Sequence, residues 1–284
     1  MSARGFALLA VLWTLTAVTA LTGAALAVAR LGSTTTRNRV LLARSEWARE
    51  ACGEILEARY AQDAAVRRVD SVDLGRGTWC TATLEDPSAK LNLNVADRPA
   101  LVTVLQTVVR RRPAVDSLVD ALLDWRDPDT LPRPFGDESP ANRNGPLADV
   151  WELRLVRGYT EPLVAHLARF LTTRGSGAIN VNAAPPEVLG TLPGLTDEAV
   201  RVLLMHRRDE PLPTADALAG LLSLNARTTL FASYPEFVRT AVFTAPQLVA
   251  TVTGGVHGTP LTARVTLTLV PVAGRLAVIR RETE

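Results

Sequence analysis

Lysine is almost missing from this chain: of 31 basic side chains only Lys90 is a lysine, the others being arginine. Net charge is also scarce, at +2 with 29 carboxylates, so bulk electrostatics give no reason to expect a nucleic acid or an acidic membrane as partner. Cysteine is limited to Cys52 and Cys80, whose spacing fits neither a zinc site nor a C-x-x-C redox site. The pair is left as one disulfide in an exported chain or as two buried thiols. The three histidines, His166, His206 and His257, have no cysteine or carboxylate beside them at ligand spacing. G-x-S-x-G, H-E-x-x-H, Walker A and G-x-G-x-x-G are all absent, which removes the familiar motif-borne catalytic classes.

Charge is absent altogether from residues 5–29, 25 positions bracketed by Arg4 and Arg30 and interrupted only by Thr14, Thr16, Thr19 and Thr22 among aliphatic and small residues. A helix of that length reaches about 37 Å, enough to cross a hydrocarbon core of about 30 Å with some tilt. Three origins compete. A cleaved secretory signal has small-x-small sites at Ala25-Leu26-Ala27 and Ala27-Val28-Ala29, but the apolar run exceeds the usual h-region. A plain signal anchor keeps Arg4 inside and exports the remainder. The leader ending Arg4-Gly5, followed by Phe6 at the head of the apolar run, has the look of a prepilin peptidase site cut between Gly5 and Phe6, which leaves the helix on the mature protein.

Beyond the apolar run, Val40, Ala43, Trp47, Ala51, Ile55 and Ala58 recur at helical spacing and predict an amphipathic helix over 37–60, joined to the membrane helix through a loosened segment at 32–36. Residues 77–85 alternate as a strand, with Cys80, Ala82 and Leu84 on one face. Residues 247–253, 261–270 and 275–280 do likewise, with Gly254-Gly255, His257-Gly258 and Ala273-Gly274 as turn signals. Between these blocks, Pro and Gly punctuate short helices expected at 99–111, 115–125, 147–156, 161–172, 186–189, 197–208 and 215–222. The plan is α+β: a long N-terminal helix packed on a small antiparallel sheet, with a large all-helical domain inserted.

The helical part contains two internal repeats. Leu91-Asn92-Leu93-Asn94-Val95-Ala96 returns as Ile179-Asn180-Val181-Asn182-Ala183-Ala184, and Gly158-Tyr159-Thr160-Glu161 returns as Gly194-Leu195-Thr196-Asp197. The first pattern suits a short extended segment ending in an Asx turn. The second suits a glycine at positive φ before a threonine-capped helix. Leu192-Pro193-Gly194-Leu195-Thr196 resembles the hairpin of a helix-hairpin-helix module, which opens a second function class, an inner-membrane-anchored DNA-binding or uptake protein. Seven arginines against seven carboxylates over 152–210 lack the cation excess that duplex binding needs.

Asp124, Asp127, Asp129, Asp137 and Glu138 crowd a proline-pinned stretch, with Asn142 and Asn144 following. Hard oxygen ligands on an irregular loop are what Ca²⁺ selects, although the spacing is not that of an EF-hand. The alternative is a set of salt bridges to Arg126, Arg133 and Arg143.

Taken in order, Arg4-Gly-Phe-Ala-Leu-Leu-Ala-Val-Leu-Trp, Lys90-Leu-Asn-Leu-Asn, Asp124-Trp-Arg-Asp-Pro-Asp, Arg143-Asn-Gly-Pro, Glu152-Leu-Arg-Leu-Val and Ile179-Asn-Val-Asn-Ala-Ala-Pro-Pro-Glu-Val-Leu resemble the minor pseudopilin K family (GspK) of type II secretion over essentially the whole chain. The resemblance implies a leader at 1–5, a transmembrane helix at 6–30, a pilin-like core at 31–90 and 226–284, and an inserted helix-hairpin-helix or SAM-like domain at 91–225. It implies cleavage between Gly5 and Phe6 and methylation of Phe6 by the prepilin peptidase. It also implies a non-enzymatic place at the pseudopilus tip with minor pseudopilins I and J, then H, and a calcium site in the acidic stretch. The inner membrane would hold the single span, with the soluble region in the periplasm of a Gram-negative cell and no nucleic-acid partner. Pilins carry Glu at the fifth mature position, where this chain has Ala10. A subunit with nothing above it has no need of that carboxylate.

Overall fold

A computed structural model describes residues 3–140 and 142–283, with side chains from residue 10 onward. Met1 and Ser2 of the expected leader, and the side chain of Phe6 in the expected processing pair Gly5-Phe6, lie outside what is described. In chain order the elements are α1 (Ala3–Gln62), β1 (Arg68–Gly75), β2 (Thr78–Glu85), β3 (Leu91–Asn92), α2 (Arg98–Val108), α3 (Arg112–Arg126), a 3-10 helix (Val150–Leu155), α4 (Glu161–Leu167), β4 (Leu171–Thr172), β5 (Ile179–Asn180), α5 (Pro186–Leu189), α6 (Asp197–His206), α7 (Ala215–Leu221), α8 (Leu224–Ala232), α9 (Tyr234–Thr240), β6 (Ala241–Val242), β7 (Leu248–Val256), β8 (Thr262–Val272) and β9 (Arg275–Thr283). The class is α+β, as expected. The chain divides into two compact units, residues 1–83 with 251–267 and 281–284, and residues 84–250 with 268–280.

In the first unit α1 is one uninterrupted helix of 60 residues. The loosening expected at 32–36 is not there. The hydroxyls of Thr34, Thr35 and Thr36 donate to the carbonyls of Arg30, Leu31 and Gly32 at 2.8, 2.8 and 2.9 Å, so their side chains find acceptors along the helix itself, a back-bonding that here does not break it. Among the described residues α1 is the one helix long and apolar enough to cross a membrane, and its apolar window is uncovered.

The sheet runs β1-β2-β7-β8-β9. β1 and β2 are antiparallel, while β7, β8 and β9 follow one another through connections too short for a parallel crossover. Ala273 and Gly274 form the β8–β9 turn, both at positive φ (48° and 76°), as a two-residue hairpin of the I′ kind requires. In β2 the expected face is buried, with Cys80, Ala82 and Leu84 at 0–2% exposure.

Two sequence expectations fail in this unit for one physical reason. Gly254-Gly255 is not a turn but lies inside β7. A Cβ on Gly254 would overlap the backbone N of Arg49 and O of Ser45 and come within 2.9 Å of the Ala48 carbonyl carbon, so strand and helix meet backbone to backbone. That approach selects small side chains on α1. The buried face is therefore Ser45, Ala48, Arg49, Cys52, Leu56 and Tyr60, one residue round from the expected stripe. Of that stripe Val40 is 53% and Trp47 55% exposed, and they line a surface groove with Ala43, Arg44, Leu74, Gly75, Arg76 and Thr78. Cys52 of α1 and Cys80 of β2 are joined as a disulfide, with Cα atoms 5.8 Å apart.

The second unit is mainly helical around one apolar core, in which Leu93, Leu101, Leu105, Leu122, Leu167 and Leu203 are fully buried; each such side chain contributes about 1.5–3 kcal/mol of burial free energy. The helical run continues through α8 and α9, past the boundary expected at 225. The first sequence repeat proves to be a structural one. β3 pairs in parallel with β4, and β5 pairs in parallel with β6. Asn92 Oδ1 accepts from Asn94 N (2.9 Å), as Asn180 Oδ1 does from Asn182 N (3.0 Å). Asn94 Nδ2 donates to Leu147 O (2.9 Å) and Thr173 O (3.4 Å), and its Oδ1 accepts from Leu147 N (2.8 Å). Asn182 repeats this with Leu212 O (2.8 Å), Phe243 O (2.8 Å) and Leu212 N (2.9 Å). The Arg126 guanidinium donates to Leu93 O and Ala96 O, and that of Arg207 to Val181 O and Ala184 O. The asparagines are thus framework residues that satisfy buried backbone groups.

Candidate functional site

The acidic stretch after α3 is held from below by Asp124. This residue is fully buried, and its carboxylate accepts from Asp137 N (2.8 Å) and Arg133 N (3.2 Å). Gly136 lies so close that a Cβ would overlap the Asp124 carboxylate. Burial raises the Asp124 pKa above the ordinary carboxylate value, against the lowering effect of the two amide donors.

Above this support, Asp127, Asp129 and Glu138 each place a carboxylate oxygen within 4.8 Å of the other two. Asp127 Oδ2 takes Arg133 Nη2 at 3.0 Å, while Asp127 Oδ1, Glu138 Oε1 and Asn144 Oδ1 are buried without a hydrogen-bond partner. Asn144, at φ 47°, donates through Nδ2 to Asp129 O (3.3 Å), which fixes its amide beside the cluster. Unsatisfied buried oxygens carry a desolvation penalty of about 1–3 kcal/mol each. The converging carboxylate oxygens of Asp127, Asp129 and Glu138, with Arg133 on Asp127, form an oxygen-rich cluster of the kind that suits a hard divalent cation.

Of the five acidic residues predicted to hold a metal, Asp127, Asp129 and Glu138 come together. Asp124 is turned to the loop backbone instead, and Asp137 faces Arg157 Nε at 3.7 Å. Asn142 supports the loop by donating to Asp137 O (2.7 Å). Arg143 pairs with Glu152 (3.0 Å) and Arg126 with backbone carbonyls, so of the three arginines offered as salt-bridge partners only Arg133 neutralises this cluster. Asn144, which the sequence offers as an oxygen donor following the acids, keeps its Oδ1 without a hydrogen-bond partner here.

Glu138 has its pKa raised by desolvation first and by Asp124, Asp127 and Asp129 next. A raised carboxyl pKa means that the cation-free fold gains stability as pH falls toward 4.5 and loses it as pH rises through the shifted value. Cation binding needs the ionised form and has the opposite dependence. Calcium titrated by calorimetry into the chain should bind progressively more weakly as pH is lowered from 7.5 to 5, and Glu138→Gln should both weaken binding by at least about tenfold and flatten that pH dependence. An unchanged affinity in Glu138→Gln would remove this residue from the site.

The helix-hairpin-helix-like stretch is turned inward. A Cβ on Gly194 (φ 72°) would meet Thr229 O at 2.9 Å and Leu230 Cα at 3.1 Å, so the hairpin apex is packed on α8. Thr196 caps α6 through Ala199 N (3.2 Å), whereas Thr160, at the equivalent place before α4, makes no side-chain cap.

Comparison with known proteins gives matches to two family models, both described as type II secretion system protein K, over residues 87–175 and 179–234. Together they cover just over half of the chain. No curated protein sequence matches it. Among solved structures, a chain of the GspK-GspI-GspJ complex from the enterotoxigenic Escherichia coli type 2 secretion system is similar at 15% identity. That alignment has a TM-score of 0.65 and covers 90% of this chain and 99% of that one.

Proposed function

Because the chain belongs to the type II secretion system protein K family, we propose that it is the minor pseudopilin that caps the pseudopilus tip and helps to start its assembly. The observation that carries the reading is α1. Its lower part is uncovered and apolar, as a span in the inner membrane would be, and its upper part still leaves Val40 and Trp47 exposed beside the sheet. The solved relative is a complex of K with I and J, and the counterparts of I and J are the partners proposed for this groove. The soluble region would then stand in the periplasm as a structural subunit and not as an enzyme.

Two further features support a cap. Ala10 stands where repeating pilin subunits carry a carboxylate, an acid whose burial in the bilayer costs roughly 2.5–3.5 kcal/mol on insertion scales unless it is paired. The helical unit adds bulk that a repeating subunit would have to accommodate at every step. The acidic cluster suits Ca²⁺ through the converging oxygens of Asp127, Asp129 and Glu138, and these together with Asn144 are the residues proposed to hold it. A bound cation would neutralise the cluster and fix the loop.

Processing and docking are tested separately. Mass spectrometry of the mature protein should find methyl-Phe6 at the N-terminus; a start at Val28 or Arg30 would instead mark a cleaved signal. Trp47→Glu should reduce co-purification with the I and J pseudopilins by at least tenfold, the size of effect expected for an aromatic anchor. Since Trp47 is more than half exposed, the melting temperature should stay unchanged. Undiminished recovery of both partners would place the interface elsewhere.

A further inference from the structure

We propose that residues 127–146 are an insertion in a framework that closes without them, so that a cation in the pocket acts as a local switch on this loop and does not hold up the helical fold. The proposal rests on the cation reading given above, and its structural half stands on the duplication. In both copies the chain leaves a helix at an arginine that binds the two carbonyls of the Asn motif, Arg126 in one and Arg207 in the other. In both it returns at a leucine whose N–H and C=O are clasped by the second asparagine, Leu147 and Leu212. A proline precedes each leucine, Pro146 and Pro211. The gap that residues 127–146 bridge in the first copy is bridged in the second by residues 208–211 alone.

The helix beneath the loop carries the same message. Setting Arg126 on Arg207 sets the buried Leu122 on the buried Leu203 and Val119 on Val200. The two α3 acids that reach the loop, Asp120 toward Phe135 N (3.4 Å) and Asp124 toward Arg133 and Asp137, then fall on Arg201 and Met205. Both of these are exposed, and they line an open hollow on α6 with Glu198, Val202, Leu204 and Arg208. The second copy therefore keeps the core register of the first while leaving uncovered the face on which the loop sits. Loops of this length without secondary structure are more often functional than structural, and this one displays Leu131 at 75% and Phe135 at 57% exposure.

The test uses the full chain in detergent, with residues 127–146 replaced by the Arg-Asp-Glu-Pro linker of the second copy. The graft should melt cooperatively within about 4 °C of the chelated wild type, and calcium should no longer shift it. Trypsin with EDTA should cut the wild type at Arg143, the loop arginine not followed by a proline, and nowhere in the flanking helices, and calcium should protect that site. A graft without a cooperative transition overturns the proposal, as does chelated wild type that is cut throughout α2 to α7. Asp129→Asn, which keeps the loop, should give the EDTA pattern even in calcium; protection in that variant also counts against the switch. If calcium neither shifts the wild-type transition nor protects the loop, the cation reading fails, while the graft still decides whether the loop is an insertion.

Discussion

Gly254→Ala should lower the melting temperature of the full chain by about 5–10 °C, the shift that 2–3 kcal/mol produces in a chain of this size. The added methyl has no space to enter. It would overlap Arg49 N and Ser45 O, both belonging to α1 backbone whose hydrogen bonds prevent it from giving way, and overpacking of this kind costs roughly 1–3 kcal/mol or more. Relief requires β7 to lift from the helix, which would also loosen Ala48, Cys52 and Leu56, all at 0–2% exposure. Gly53 is the control on the same helix, since a Cβ there meets nothing within 4 Å, and Gly53→Ala should stabilise by up to about 1 kcal/mol through helix propensity. Thermal melts of the two variants side by side check the pair. A Gly254→Ala protein that melts with the wild type would mean that strand and helix do not approach as described.

This close approach also shows where sequence reasoning stopped. Alternation made β2 legible because Cys80, Ala82 and Leu84 face the core, whereas β8 and β9 were legible from their alternating residue types although only Leu276 of β9 is buried, and Ala273-Gly274 declared its turn by residue type. β1 was missed because it is an edge strand in which only Val69 is fully buried, so no apolar alternation exists to be seen. The α1 stripe was misplaced by one residue because periodicity reports where large apolar side chains recur, whereas the contact with β7 is set by how near two backbones come, and there Ser45 and Ala48 serve better than Trp47. The same blindness turned Gly254-Gly255 into a turn. α8 and α9 were overlooked because the apolar content of α8 has no single face, with Leu224 and Phe231 exposed and Ala226 and Leu230 buried.

The acidic loop was legible as a concentration of oxygen donors, and three of its five carboxylates do converge. Which three was not legible. Asp124 is withdrawn to the loop backbone by tertiary burial, a property of α3 packing that no local pattern carries. The repeated asparagine motif was visible as text, but its meaning lies in partners far along the chain: Leu147 and Thr173 for one copy, Leu212 and Phe243 for the other.

Converting both Cys52 and Cys80 to serine should destabilise the chain by about 3–4 kcal/mol, comparable to or larger than the glycine effect. The bond ties residues 28 apart in sequence, and a loop of that size removes unfolded-chain entropy worth about 3.6 kcal/mol at 25 °C. Both positions are fully buried, so serine adds the desolvation of two hydroxyls, and a Cys→Ala pair separates the two contributions. The expected result is a fall of about 7–14 °C in melting temperature for the serine pair, with a smaller fall for the alanine pair. Wild type treated with a thiol reductant under conditions that open the buried bond should behave like the alanine pair. Untreated protein should give no thiol signal on unfolding without reductant, and two free thiols at that step would show that the pair is not bonded. The bond and the Gly254 contact both fasten the sheet to α1, one covalently and one by shape. Losing either should lower the amount of subunit recovered with the I and J pseudopilins, and a recovery unaffected by both losses would show that docking does not depend on how the sheet is fastened to α1.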